Sequence, residues 1–237
     1  MMSCEDVLRG LFLDDANPTG KLEPDQIRST IAQTSVSEIV YFLQKYQDEL
    51  SDVSAKNIPQ FSNVDEVDKV LSIIIDSGLD KVDFLLIGSY LRQDRAKDMA
   101  YRKYGENHYK LCAQLGFVLN PPQFQATRNG YAYHRENDKV LKKIWFAKMI
   151  LHVPIVQQAI FKVMKDDTPF SIREYMGVFL SKSTVIRRLS NMKKLFQILN
   201  EYSDEIARVW ITRINFLGKK NGVFKIIISR YAYKIEL

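Results

Sequence analysis

Residues 171–188 read SIREYMGVFLSKSTVIRR. The pattern predicts a short helix over Ser171 to Val178, a turn over Gly177 to Leu180, and a longer helix from Ser181 to Leu199. Ser181 or Ser183 can cap the second helix. Val185, Leu189 and Met192 recur at helical spacing and are predicted to face the core. Lys182, Thr184, Arg187, Asn191 and Lys194 then fall toward the other side. A first turn made of Ser, Thr and Lys suits phosphate contact, because the helix start also offers free N–H groups. Lys182, Ser183 and Thr184 are therefore candidate phosphate ligands. Arg187 or Arg188 can reach a guanine edge with two hydrogen bonds.

Downstream, Arg208 to Phe216 and Val223 to Ser229 read as strands, joined by the turn Gly218-Lys219-Lys220-Asn221-Gly222. That predicts a β-hairpin. Arg213, Lys219 and Lys220 fall at or near its tip, where cations suit a wing that grips phosphates.

The same order of elements recurs upstream. Asp94 to Lys103 reads as a helix interrupted at Gly105, and Glu106 to Leu115 as another, ended by Gly116. Phe117-Val118-Leu119, the turn Asn120-Pro121-Pro122-Gln123, and Phe124 to Thr127 read as a second hairpin. Here Asn107 can pair with adenine, and Lys110 with phosphate or guanine. Arg95, Arg102 and Lys103 precede that helix and Arg128 follows the hairpin. His108 has no identifiable catalytic partner and is assigned a structural or phosphate-contacting role. Ahead of these lie two helical segments, Val64 to Ser77 and the very apolar Asp83 to Leu91.

A long helix is predicted from Lys139 to about Leu151, with a restart at Pro154. Residues 1–60 read as an acidic block of short helices: Cys4 to Leu13, one started by Pro24, and one opened by a Ser35 and Glu38 capping box. Ser51 to Asn63 reads as a polar linker. The expected organisation is thus a helical block over 1–60, one unit over 61–148 and another over 149–237.

Charge divides the chain. Residues 1–90 carry 7 Lys and Arg against 16 Asp and Glu, whereas residues 91–237 carry 27 against 12. A polyanion is attracted to the second part and repelled by the first. Hydrophobic residues make up 46% of the chain, which argues against global disorder. No apolar run approaches the ~20 residues that span a bilayer. The start is acidic and lacks the form of a signal peptide. The two cysteines, Cys4 and Cys112, form no CxxC pair, and with three histidines there is no spaced zinc-ligand set. These features predict a soluble, cytoplasmic protein without metal or cofactor.

Several stretches resemble a known family. Residues Glu106-Asn107-His108-Tyr109-Lys110-Leu111-Cys112-Ala113-Gln114-Leu115-Gly116-Phe117-Val118 look like the end of the first winged-helix module in the DNA-recognition domains of certain type II restriction endonucleases and related prokaryotic regulators. Ala126 to Gly130, with Phe146 to Ile155, is similar to that family's connection into its second module. Ser183-Thr184-Val185-Ile186-Arg187-Arg188-Leu189-Ser190 resembles the second module's helix. The resemblance covers about residues 64–200 and rests on order and spacing. It implies tandem winged helices that read a short duplex sequence. The family's nucleases add a catalytic domain whose acidic residues and lysine bind a divalent metal. Pro24-Asp25 is present here, but no acidic-x-Lys element follows it, and no residue is assigned a catalytic role.

The expected fold is therefore mainly α with small β-hairpins, an α+β chain of tandem winged helix-turn-helix modules behind a small helical block. The expected function is sequence-specific binding of double-stranded DNA, as the target-recognition component of a restriction–modification system or a related regulator. A separate nuclease subunit or a second copy is expected to dock through residues 1–60. The alternatives are a metal-dependent endonuclease and a protein-interaction scaffold.

Overall fold

Caps written into the sequence set where the helices begin. In the computed structural model, which describes residues 2–14, 21–77, 82–92, 94, 96–166 and 168–216, the order is α1 (Cys4–Phe12), α2 (Pro24–Gln33), α3 (Val36–Lys45), α4 (Glu66–Asp76), α5 (Phe84–Leu91), α6 (Asp98–Gln114), α7 (Arg128–His134), α8 (Lys139–Met149), α9 (Pro154–Asp166), β1 (Phe170–Ser171), α10 (Ile172–Phe179), α11 (Lys182–Glu201), α12 (Glu205–Thr212) and β2 (Ile214–Asn215). Ser3 and Ser35 open α1 and α3 with reciprocal capping boxes to Asp6 and Glu38, and Pro24 occupies the first turn of α2. Asp83, Thr127, Asp138, Ser171 and Asp204 each accept a backbone N–H at the start of a helix. Gly116 ends α6 at φ +71. The Phe117 and Gly116 N–H groups return to the Cys112 and Ala113 carbonyls, which closes the helix as a Schellman motif.

Two glycines allow α5 and α6 to cross closely. A Cβ on Gly88 of α5 would lie 1.8 Å from the Tyr101 carbonyl oxygen, and one on Gly105 of α6 would lie 2.1 Å from that of Phe84. Only Gly lets these backbones approach so far. Gly105, expected to interrupt a helix, lies inside the continuous α6. Close packing of α6 against α5 offsets the local cost of a glycine in mid-helix.

One cluster of buried side chains runs from Val7 to Ile214 and crosses both residue 60 and residue 148. Its middle is α8, a 3₁₀ turn over Ile150–His152, and α9, bent by 83° at the break. Trp145 of α8 is fully buried, and its indole N–H donates to Asn129 Oδ1 at 3.0 Å. The amide of Asn129 reaches the Gly116 carbonyl and Met149 Sδ. That side chain joins α7, α8 and the turn after α6. No single helix among the described residues is long and apolar enough to cross a membrane, and the bent pair that passes on composition lies largely in the core.

The structure corrects the expected fold: among the described residues neither β-hairpin forms. Residues 117–127 make one isolated antiparallel bridge, Val118 to Ala126, because Thr127 turns away to cap α7. The second hairpin's first strand, expected over 208–216, is mostly helix: α12 starts at Glu205 behind the Asp204 cap and buries Ala207, Trp210 and Ile211. Only β2 is extended there, and it pairs in parallel with β1, Phe170 against Ile214 and Ser171 against Asn215. The tandem winged-helix modules are thus replaced by a helical assembly carrying one two-stranded parallel ribbon. Residues 217–237, with the expected turn and return strand, lie outside the described residues.

The core also holds a cation. Lys148 is 4% exposed, and its ammonium donates to the Ile31 carbonyl between α8 and α2. Burial pushes its pKa from 10.5 down to about 8, against the opposing pull of Glu38 and Asp204. Between those values the unfolded chain binds more protons than the folded one, so stability rises with pH. We expect the unfolding free energy of the wild type minus that of Lys148→Met to rise by roughly 2 kcal/mol between about pH 7.5 and 9.5. The difference removes the opposing titration of buried Cys112, whose thiol burial pushes up. Urea unfolding across that range reads it, and a flat difference would show that Lys148 is not desolvated.

Candidate nucleic-acid interface

α10 and α11 are consecutive helices joined by a short turn. Ser171 caps α10, Leu180 and Ser181 make the turn, and α11 runs from Lys182 to Glu201. Val185, Met192, Leu195, Phe196 and Leu199 are buried and anchor α11 along one side. At about 3.6 residues per turn, the opposite side orders itself into three rows. Ile186, Ser190 and Gln197 run along its middle. Lys182 and Lys193 flank them on one edge, and Arg187 and Lys194 on the other. All seven are exposed. No Asp or Glu occurs from Lys182 to Asn200. Among the described residues, none of the four flanking cations has a carboxylate within 4.0 Å.

The start of this helix is open. Ser181 does not cap it through its side chain; the hydroxyl instead lies 3.0 Å from Thr184 Oγ1 and 3.3 Å from Ser183 Oγ. The Val185 N–H closes the first turn onto the Ser181 carbonyl at 2.9 Å. The N–H groups ahead of it lack an intrahelical acceptor. Arg187 bends back to donate to Thr184 Oγ1 at 3.2 Å.

Arg188 and Asn191 face a different neighbour. Arg188 is half-buried, and its guanidinium donates to the carbonyls of Ala55 at 3.0 Å and Ile58 at 2.7 Å. Burial, and then the neighbouring Arg187, lower its pKa. Asn191 is buried and donates to the Phe61 carbonyl at 2.7 Å. Both side chains clasp the 51–63 segment, expected to be a polar linker. Ile58 and Phe61 anchor that segment in the core. His108 of α6 holds it from the other end: its Nε2 lies 3.3 Å from Ser62 Oγ and 3.4 Å from the Asn63 N–H, while Nδ1 bonds the Tyr104 carbonyl. Burial lowers the pKa of His108.

The remaining described sequence candidates belong to other elements. Lys110 and Lys103 of α6 both pair with Glu106, at 2.5 and 2.9 Å. Those contacts, that of Lys110 first, hold the Glu106 carboxyl below its usual range. Asn107 is half-buried on the same helix, and Arg102 is exposed. Arg128 is exposed in the first turn of α7. Arg213 is half-buried between α12 and β2, where its carbonyl accepts the Phe170 N–H. Arg95, Lys219 and Lys220 lie outside the described residues.

Sequence reasoning missed Ile186, Ser190 and Lys193. The signal was present: placing Val185, Met192 and Leu199 inward fixes the helix rotation and turns these three outward. Among the described residues no group of three or more His, Cys, Asp or Glu side chains is arranged to hold a metal ion. His152 is enclosed against Phe12 with ring centroids 4.5 Å apart, and burial pushes its pKa down to about 4. Comparison with known proteins yields no match, whether to a family model, to a curated protein or to a solved structure.

Proposed function

We propose that this chain binds double-stranded DNA by laying the exposed face of α11 in the major groove. The observation that carries the proposal is that face: a neutral row edged on both sides by cations, with no carboxylate along it. A helix about 10–12 Å across fits a groove about 12 Å wide. In that position Lys182 and Lys193 approach one phosphate strand, and Arg187 and Lys194 the other. The open N–H groups at the start of α11 supply further phosphate donors. The positive balance of residues 91–237 adds long-range attraction.

Four neutralised phosphates predict a slope of about −3.6 for log affinity against log salt. Fluorescence anisotropy with a labelled 20-base-pair duplex, from 50 to 300 mM salt, measures it. A slope near zero, or no binding at 50 mM, contradicts the proposal.

A further inference from the structure

The middle row of α11 holds an exposed isoleucine where solvent alone would favour a polar residue. Ile186 is 57% exposed. Its neighbours on the helix surface are Lys182, Ser183 and Ser190, three or four residues away. Leu189 lies beside it toward the core. Arg187 follows it on the outer flank. A single exposed aliphatic side chain is ordinary on a protein surface. This one is the only apolar side chain in a row whose two edges are cationic, one turn from the helix start. A second exposed aliphatic residue, Val178 at 73%, lies just before the turn that leads into α11.

Resting on the DNA-binding reading, we infer that Ile186 is a specificity-determining residue that reads the 5-methyl group of a thymine. When the flanking cations meet the phosphate strands, the middle row faces the base edges. In the major groove only thymine offers an apolar group there, and aliphatic side chains pack against it. Every other base edge presents Ile186 with donors or acceptors that it cannot satisfy. Contact with such an edge strips water from polar atoms without replacing the hydrogen bonds. Ser190, one turn on, can donate or accept and so tolerates more than one neighbouring base.

The test starts from duplexes selected by the wild-type protein out of a random pool. Each thymine of the selected site is replaced singly by deoxyuridine, which removes only the methyl group. We expect one position to weaken wild-type binding by about fourfold, the value of one buried methyl. Ile186→Ala is expected to bind the thymine duplex with the same loss, and to show no further loss on the deoxyuridine duplex. The exposed position leaves its thermal midpoint unchanged. Deoxyuridine that is neutral at every position, a deoxyuridine penalty that persists in Ile186→Ala, or a pool that yields no common thymine each overturns the inference while DNA binding stands. Absence of binding to any duplex at low salt overturns the DNA-binding reading itself.

Discussion

Arg187→Glu with Lys194→Glu is expected to weaken duplex binding by about a hundredfold at 100 mM salt, with the fold intact. Each reversal removes one phosphate contact and adds a repulsion, so each is taken as about tenfold. Both side chains are exposed, and neither pairs with a carboxylate among the described residues. Surface changes of that kind shift stability by only about 0.5 kcal/mol. The adjacent arginine behaves in the opposite way. Arg188→Ala removes the donors to Ala55 and Ile58 and is expected to cost about 2 kcal/mol of stability. Anisotropy paired with urea unfolding separates the two roles. Equal losses of affinity from Arg187→Ala and Arg188→Ala, without loss of stability, would mean that α11 is rotated from the orientation described.

Trp145→Ala is expected to have the largest effect on stability. The side chain is fully buried, its ring sits 6.1 Å from that of Tyr133, and its N–H satisfies Asn129 Oδ1. Truncating a buried Trp typically costs about 3–5 kcal/mol through lost transfer energy and a residual cavity. Loss of the hydrogen bond from the indole N–H to Asn129 Oδ1 adds about 1 kcal/mol. Against a total of about 5–15 kcal/mol for a typical domain, that is a large share of the stability. A urea midpoint moved far toward lower denaturant would show it. A change below 1 kcal/mol would mean that the α7 and α8 junction is not central to the core.

Most helices are legible in the sequence because they open with strong local signals. The Ser35 and Glu38 box forms as its spacing predicts, with both reciprocal bonds present. Pro24 starts α2, and Gly116 ends α6. A strand over 208–216 is suggested by the β-branched residues Val209, Ile211 and Ile214. Ala207, Trp210 and Ile211, all buried, follow helical spacing, and the Asp204 cap comes just before them; only Ile214 and Asn215 are extended. Burial periodicity, not β-propensity, governs that stretch. Gly105 misleads for a different reason. A glycine in a helix can mark a break or a close approach, and only the partner helix α5 tells them apart.

The candidate site divides along similar lines. Sequence order places the α10 and α11 pair, with Lys182, Arg187 and Lys194 on its outer side. It does not show that Arg188 and Asn191 clasp carbonyls more than a hundred positions earlier in the chain. Nor does it show how His108 is used. A polar stretch such as 51–63 looks like a linker until Ile58 and Phe61 are seen in the core. The cations of α6 look available in sequence, yet Glu106 sits three positions from Lys103 and four from Lys110, the distances at which helical side chains pair.

The most direct measurement is photo-crosslinking to a labelled duplex from a benzoylphenylalanine placed at Ser190, the middle of the α11 face, and separately at Arg102 on α6. With α11 seated in the groove, position 190 gives a duplex adduct that added salt suppresses, and position 102 gives none. An adduct from position 102 alone, or from neither position under conditions where the duplex is bound, contradicts it.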